Sequence, residues 1–123
     1  MKTIKVKEYT EIPKDYTGIV EYPNGSKEWY LDGKLHREDG PAVECVNGHK
    51  EWLLHDQPHR IDGPAVECIN GTKEWYLNDK LHREDGPACE YPNGNKEYYI
   101  NGKKVTKKAQ EILYAMYKLK GML

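Results

Sequence analysis

One stretch, Lys34-Leu35-His36-Arg37-Glu38-Asp39-Gly40-Pro41-Ala42, returns as Lys80-Leu81-His82-Arg83-Glu84-Asp85-Gly86-Pro87-Ala88. A worn copy, Gln57-Pro58-His59-Arg60-Ile61-Asp62-Gly63-Pro64-Ala65, lies midway. The offset is 23 residues both times, and it also relates Trp29, Trp52, Trp75 and Tyr98, and the Asn-Gly pairs at 24–25, 47–48, 70–71 and 93–94. A fixed period of this length is the mark of stacked supersecondary units, each too small to bury its own apolar face.

Each unit opens with a short strand such as Ala42-Val43-Glu44-Cys45 and turns at Asn-Gly. A second strand such as Lys73-Glu74-Trp75-Tyr76-Leu77 follows, and then a second turn at Asp32-Gly33, Asn78-Asp79 or Asn101-Gly102. These are hairpin signals. Charge selects the register. A two-residue loop at Asn24-Gly25 would set Glu21 against Glu28 and repeat that repulsion in every unit. A three-residue loop with Gly25 left-handed sets Glu21 against Lys27, Glu44 against Lys50, Glu67 against Lys73 and Glu90 against Lys96. Opposite charges facing across strands stabilise by roughly 0.2–1 kcal/mol each and like charges cost, so the second register is predicted.

That register sorts the side chains. One face carries Ile19, Ala42, Ala65 and Ala88 opposite the ladder Trp29, Trp52, Trp75 and Tyr98, with Leu31, Leu54, Leu77 and Ile100 beyond. The other carries Tyr30, Leu53, Tyr76 and Tyr99 beside Glu28, Glu51, Glu74 and Glu97, an amphipathic set that could stay wet. The signature stretch cannot be a third strand of the same meander, because an odd number of strands per unit would reverse the chain at every step. It is expected to cross the sheet, with Asp-Gly-Pro turning the chain into the next hairpin.

The fourth unit breaks off. Val105 and Thr106 stand where His and Arg should recur, and Ala109, Ile112, Leu113, Met116 and Tyr117 then follow helical spacing. Thr106 is the expected N-cap and Gly121 the expected stop. The fold expected is mainly β: an elongated, single-layer antiparallel sheet of stacked hairpins with a C-terminal capping α-helix. Residues 1–18 form a lead-in with a degenerate half-repeat (Ile12 to Glu21 laid before Leu35 to Glu44), 19–104 the four hairpin repeats, and 105–123 the helix.

Composition excludes several functions. Nineteen basic against twenty acidic residues leave a net charge of −1, which is not the field of a dedicated nucleic-acid binder. No apolar run could span a bilayer, and Met1 to Lys7 lacks the apolar core of a signal peptide, so a cytoplasmic protein is expected. Cys45 and Cys68, one unit apart, would lie ~10 Å from each other, beyond disulfide reach, and three free thiols agree with that compartment.

His36, His59 and His82, each with Asp39, Asp62 or Asp85 three residues on, invite a hydrolase or nuclease reading in which a His-Asp pair does the chemistry. The objection is multiplicity: the pair is printed three times at ~10 Å intervals, whereas catalysis needs one converged site. A structural role for the histidines within the ladder is the competing reading. No metal is expected, since histidines that far apart cannot share an ion, and no cofactor motif appears. Stacking of nucleic-acid bases on the Trp and Tyr rings is a further alternative, weakened by a Glu opposite every Lys of the ladder.

The period, the aromatic after Asn-Gly, and the wording Tyr22-Pro23-Asn24-Gly25 and Leu35-His36-Arg37-Glu38-Asp39-Gly40-Pro41-Ala42 resemble the MORN repeat family, in the variant form of bacteriophage, large DNA virus and some bacterial proteins. The match covers residues 19 to 104. It departs from the commoner form in having Asp-Gly-Pro in place of a His-Gly-x-Gly step, so lipid binding is not carried over. The resemblance implies an elongated sheet used for protein contacts and no catalytic residues. The expected function is therefore a non-enzymatic binder of a protein partner, which the viral wording sharpens to a phage-encoded inhibitor of a host defence system, such as a CRISPR effector, acting in the host cytoplasm. The residues expected to meet that partner are Tyr30, Tyr76, Tyr99, Glu28, Glu51, Glu74, Arg37, Arg60 and Arg83. Trp29, Trp52, Trp75, Tyr98, His36, His59 and His82 are expected to hold the ladder together.

Overall fold

The computed structural model describes residues 1–121, so Met122 and Leu123 of the expected helical segment lie outside the described residues. The chain is mainly strand, with one C-terminal helix. The main sheet begins with β1 (Thr3–Lys5), β2 (Gly18–Glu21), β3 (Lys27–Leu31), β4 (Lys34–Leu35), β5 (Val43–Glu44) and β6 (Lys50–Glu51). Two short strands, β7 (Leu53–Leu54) and β8 (Gln57–Pro58), pair only with each other. The main sheet resumes in β9 (Val66–Glu67) and β10 (Lys73–Glu74), and β11 (Tyr76–Leu77) and β12 (Lys80–Leu81) form a second separate pair. It ends with β13 (Cys89–Glu90), β14 (Lys96–Ile100) and β15 (Lys103–Val105), before the helix α1 (Lys107–Leu119). The sheet runs β1-β2-β3-β5-β6-β9-β10-β13-β14-β15 and is open; β1 lies parallel to β2 at one edge, and the other pairings are antiparallel.

The register is the one charge selects. Glu21 faces Lys27, Glu44 faces Lys50, Glu67 faces Lys73 and Glu90 faces Lys96. Pairing between neighbouring units continues the alternation, with Lys27 against Glu44, Lys50 against Glu67 and Lys73 against Glu90. With Lys5 beside Glu21 at the edge, one unbroken row of alternating charge crosses nine strands, each carboxylate flanked by ammonium groups. Gly25, Gly48, Gly71 and Gly94 all have positive φ, closing the three-residue loops.

Three expectations are corrected. The second strands are continuous only at the ends: Trp29 has Ile19 opposite and Tyr98 has Val105, whereas the chain leaves the main sheet at Trp52 and Trp75. Beyond those rings it forms the separate two-residue ladders, closed by His55-Asp56 and Asn78-Asp79 with both residues of each turn at positive φ. The first residues of the signature stretch thus do form strand: Lys34–Leu35 pairs with β3 within the main sheet, and Gln57–Pro58 and Lys80–Leu81 pair in the two ladders that turn off it. The Tyr-Glu face is also drier than expected. Val20, Val43, Leu53 and Cys89 on that side are buried, with Leu35 and Cys45 packed against Val43 and Leu53.

At the N-terminal end Val6, Tyr16 and Val20 form a second small core. Tyr16 stands where Leu35 stands later: its carbonyl receives the Gly33 N–H, as those of Leu35, Pro58 and Leu81 receive Asp56, Asp79 and Gly102. The 23-residue spacing puts Ile12 in that place instead. At the other end Thr106 caps α1, accepting from Ala109 N at 3.0 Å, and Gly121 closes it at φ +67. The covered face of α1 carries Ala109, Gln110, Leu113, Tyr114 and Tyr117, while Ile112 and Met116, expected inside, are 52% and 43% exposed. Among the described residues no helix is long and apolar enough to cross a membrane.

Candidate functional site

The Trp face is built from one contact set made three times. The guanidinium carbons of Arg37, Arg60 and Arg83 lie 3.9, 3.8 and 4.0 Å from the ring centroids of Trp29, Trp52 and Trp75. On its other side each guanidinium presses on a glycine. A Cβ added to Gly40, Gly63 or Gly86 would meet the Arg Cζ at 2.7, 2.8 and 2.7 Å. These glycines have ordinary φ, so they are there for space. Arg Nε donates to Asp39, Asp62 or Asp85 at 3.0, 3.2 and 3.1 Å, and one terminal nitrogen donates to the carbonyl of Pro41, Pro64 or Pro87. Arg37 and Arg83 also reach Glu44 and Glu90, both at 3.3 Å. A planar cation with five donors suits such a slot, where a lysine would fill one contact at a time.

The histidines join units. Nδ1 of His36, His59 and His82 accepts the backbone N–H of His55, Asn78 and Asn101 at 3.0, 2.9 and 2.9 Å, each the first residue of the next unit's turn. Nδ1 is therefore the unprotonated nitrogen, and Nε2 faces Glu38 at 3.6 Å or Glu84 at 3.0 Å. The Asp carboxylates meet the arginines instead, so no His-Asp hydrogen bond forms among the described residues. The three imidazoles stay in separate units, and no group of three or more His, Cys, Asp or Glu could hold a metal ion among the described residues.

On the opposite face Glu28, Glu51, Glu74 and Glu97 alternate with Val20, Val43, Val66 and Cys89 across the sheet. Each carboxylate has a local donor. Tyr22 and Tyr30 donate to Glu28 at 2.6 and 2.9 Å, His49 meets Glu51 at 2.8 Å, Tyr76 reaches Glu74 at 3.5 Å, and Tyr91 and Lys104 hold Glu97 at 2.9 and 3.2 Å. Burial, and then the neighbouring carboxylate, push the phenols of Tyr22 and Tyr30 up and that of Tyr76 to about 12. The bond to Glu97 does the same for Tyr91. Tyr99 lies half-buried in the same row. Burial and then nearby glutamates raise the Cys45 and Cys68 thiols, which makes them poor nucleophiles.

Between successive Arg-Gly-Pro turns the Trp face opens into two equivalent clefts. The first, about 810 Å³, lies between the Arg37–Pro41 turn and a wall of Trp52, Leu54 and His59. The second, about 700 Å³, has the same residues one unit on, with Tyr114 of α1 added at its edge. Ile61 stands on the ridge between them, lining both, and is 86% exposed. Ile61 was missed as a site residue, although the signal was in the repeat: its counterparts are Glu38 and Glu84. The structure thus brings Arg37, Arg60 and Arg83 together with the Trp ladder along these clefts and places the tyrosines and Glu28, Glu51 and Glu74 on the other side. No protein-family model, curated protein or solved structure matches this chain.

Proposed function

We propose that the chain is a non-enzymatic, MORN-like repeat protein, an elongated array of four hairpin units capped by a helix, that binds a protein partner across the clefts of its Trp-Arg face. The observation that carries this is Ile61. An isoleucine in water at the centre of a surface, where both equivalent positions are glutamate, holds back roughly 1.5–3 kcal/mol that burial would release. Around it lie the carboxylates of Glu38, Asp39, Glu84 and Asp85, of which Asp39 and Asp85 are also paired to Arg37 and Arg83, so an apolar centre has an acidic rim, the arrangement of a contact hot spot. The partner surface it fits is apolar at the middle and basic at the edge.

Other contacts favour binding over the alternatives. The histidine nitrogens and aspartates that a hydrolase or nuclease would need are spent on turns and arginines. The Trp rings that nucleic-acid bases would stack on are already covered by guanidinium groups. The viral wording of the repeats extends the reading to inhibition of a host defence effector by occlusion of its surface.

Affinity capture with wild-type chain, with Ile61→Glu, and with Tyr30, Tyr76 and Tyr99 changed together to Ser tests the assignment. Partner recovery is expected to fall about tenfold with Ile61→Glu, by loss of roughly 1.4 kcal/mol, and to survive the Tyr changes. Loss with the Tyr set alone would move the interface to the Tyr-Glu face.

A further inference from the structure

The third cleft of the series is partly filled by α1, which leaves about 460 Å³ of it open. Asp85, Gly86, Pro87 and Tyr98 stand one unit after the residues of the second cleft, and α1 lies over them. Gln110, 3% exposed and the only buried side chain of that helix, donates through Nε2 to the carbonyls of Arg83, at 2.6 Å, and Gly86. Tyr114, one turn on, reaches back to the wall of the second cleft. The corresponding carbonyls of the open clefts, Arg37 and Gly40 in the first, Arg60 and Gly63 in the second, receive no hydrogen bond from any described residue.

Resting on the reading just given, we infer that each open cleft takes an α-helix of the protein partner that presents a carboxamide to this carbonyl pair and an aromatic ring one turn later, as α1 does in the third. An extended peptide cannot add to the cleft wall, because the Trp backbone is spent: Trp52 N–H donates to Ala65 O, and Trp52 O accepts from His59 N–H. Recognition is left to side chains, and two neighbouring carbonyls ask for a donor. A carboxamide supplies both hydrogens from one nitrogen and brings no charge to desolvate, whereas an ammonium would. The spacing agrees. Units of two strands repeat every ~10 Å, and packed helices lie 8–10 Å apart, so a helix in the second cleft would rest beside α1 at ordinary interhelical distance. The basic first turn of α1, Lys107 and Lys108, indicates what the acidic rim prefers.

The probe is a fluorescent peptide of residues 106–120, held helical by a covalent staple between positions 108 and 112, titrated against the full-length protein by anisotropy. Saturable binding is expected, weakened about tenfold by Gln110→Ala in the peptide and about fivefold by Ile61→Glu in the protein. Glutamate is native at both equivalent ridge positions, so that variant folds. Absence of binding at roughly 1 mM, the ~4 kcal/mol limit of a specific contact, would overturn the inference. So would equal affinity of the Gln110→Ala peptide, or equal affinity for the Ile61→Glu protein, which would mean that the peptide merely exchanges with α1. Self-association of the wild-type protein by light scattering, lost with Ile61→Glu, would make the occupant a second copy and overturn it also. A natural partner captured in an Ile61-dependent way while the peptide fails would leave the cleft reading standing and remove only the helix.

Discussion

The two faces of the sheet are made by the same strands and solve the same problem, ionic groups beside a thin core, in different ways. On the Trp face each arginine is fixed on every side: ring below, glycine above, carboxylate and carbonyl at its edges. On the Tyr-Glu face each glutamate is steadied by whatever donor the unit has, phenol in one, imidazole in another, ammonium in a third. The first arrangement is shape-locked and repeats almost without change; the second is chemically tolerant and varies from unit to unit. Geometry that admits one side chain keeps its wording, and that is why the His-Arg-x-Asp-Gly-Pro stretch is the legible part of the repeat.

The contrast breaks most sharply at Gly63. Alanine there has an acceptable backbone but puts a methyl at 2.8 Å from the Arg60 guanidinium carbon, so the guanidinium must swing off the Trp52 ring and Asp62 and forfeit contacts worth roughly 1–2 kcal/mol together. We expect Gly63→Ala to destabilise by about 1–2 kcal/mol in urea melts, and to cost under ~0.5 kcal/mol once Arg60 is already Ala, since the clash has then gone. Additive costs would mean that the glycine serves something other than the arginine slot.

A smaller loss is expected at the staple between units. His59→Ala removes the acceptor for the Asn78 N–H, which starts a turn with φ of +51 and +68. Loss of one such acceptor at an exposed N–H costs about 0.5–1.5 kcal/mol. His59→Asn, whose side-chain oxygen can accept in the same region, should recover part of it, and His36→Ala and His82→Ala should behave alike. Loss at one histidine alone, with an activity lost alongside, would favour the His-Asp enzyme reading over the ladder.

Much of this was readable from residues. The Glu-Lys register followed from charge alone, because the wrong loop length would have opposed like charges in every unit. The cap at Thr106 followed from the change of period. What could not be read lies in contacts between units. Nothing in a linear sequence says that Arg60 sits on Trp52 and under Gly63, or that the chain leaves the sheet at Trp52 and Trp75 but not at Trp29 and Tyr98, where edge partners hold it. Apolar spacing alone turns the wrong face of α1 inward, because a polar residue, Gln110, fixes its rotation by bonding two carbonyls of the preceding unit. Tyr16 escaped because the half-repeat that contains it is shifted against the regular spacing.

The smallest effect separates the faces by pH. Tyr22, Tyr30 and Tyr91 have phenols pushed above their usual value, and Tyr76 rises to about 12, whereas an unfolded tyrosine ionises near ~10. Above that pH the unfolded chain sheds protons that the folded chain keeps, so deprotonation drives unfolding. Stability from this face is full below the unfolded value and is lost as pH rises through the folded one. We expect the melting temperature to fall by roughly 5 °C between about pH 9 and 11, and the fall to shrink when Tyr22, Tyr30 and Tyr76 are changed to Phe. The arginine slots do not titrate in that window, so Gly63→Ala should lower the whole curve without changing its slope. A slope that follows Gly63→Ala, or one indifferent to the three phenols, would show that the faces are not independent and that the carboxylate row leans on the Trp side for its stability.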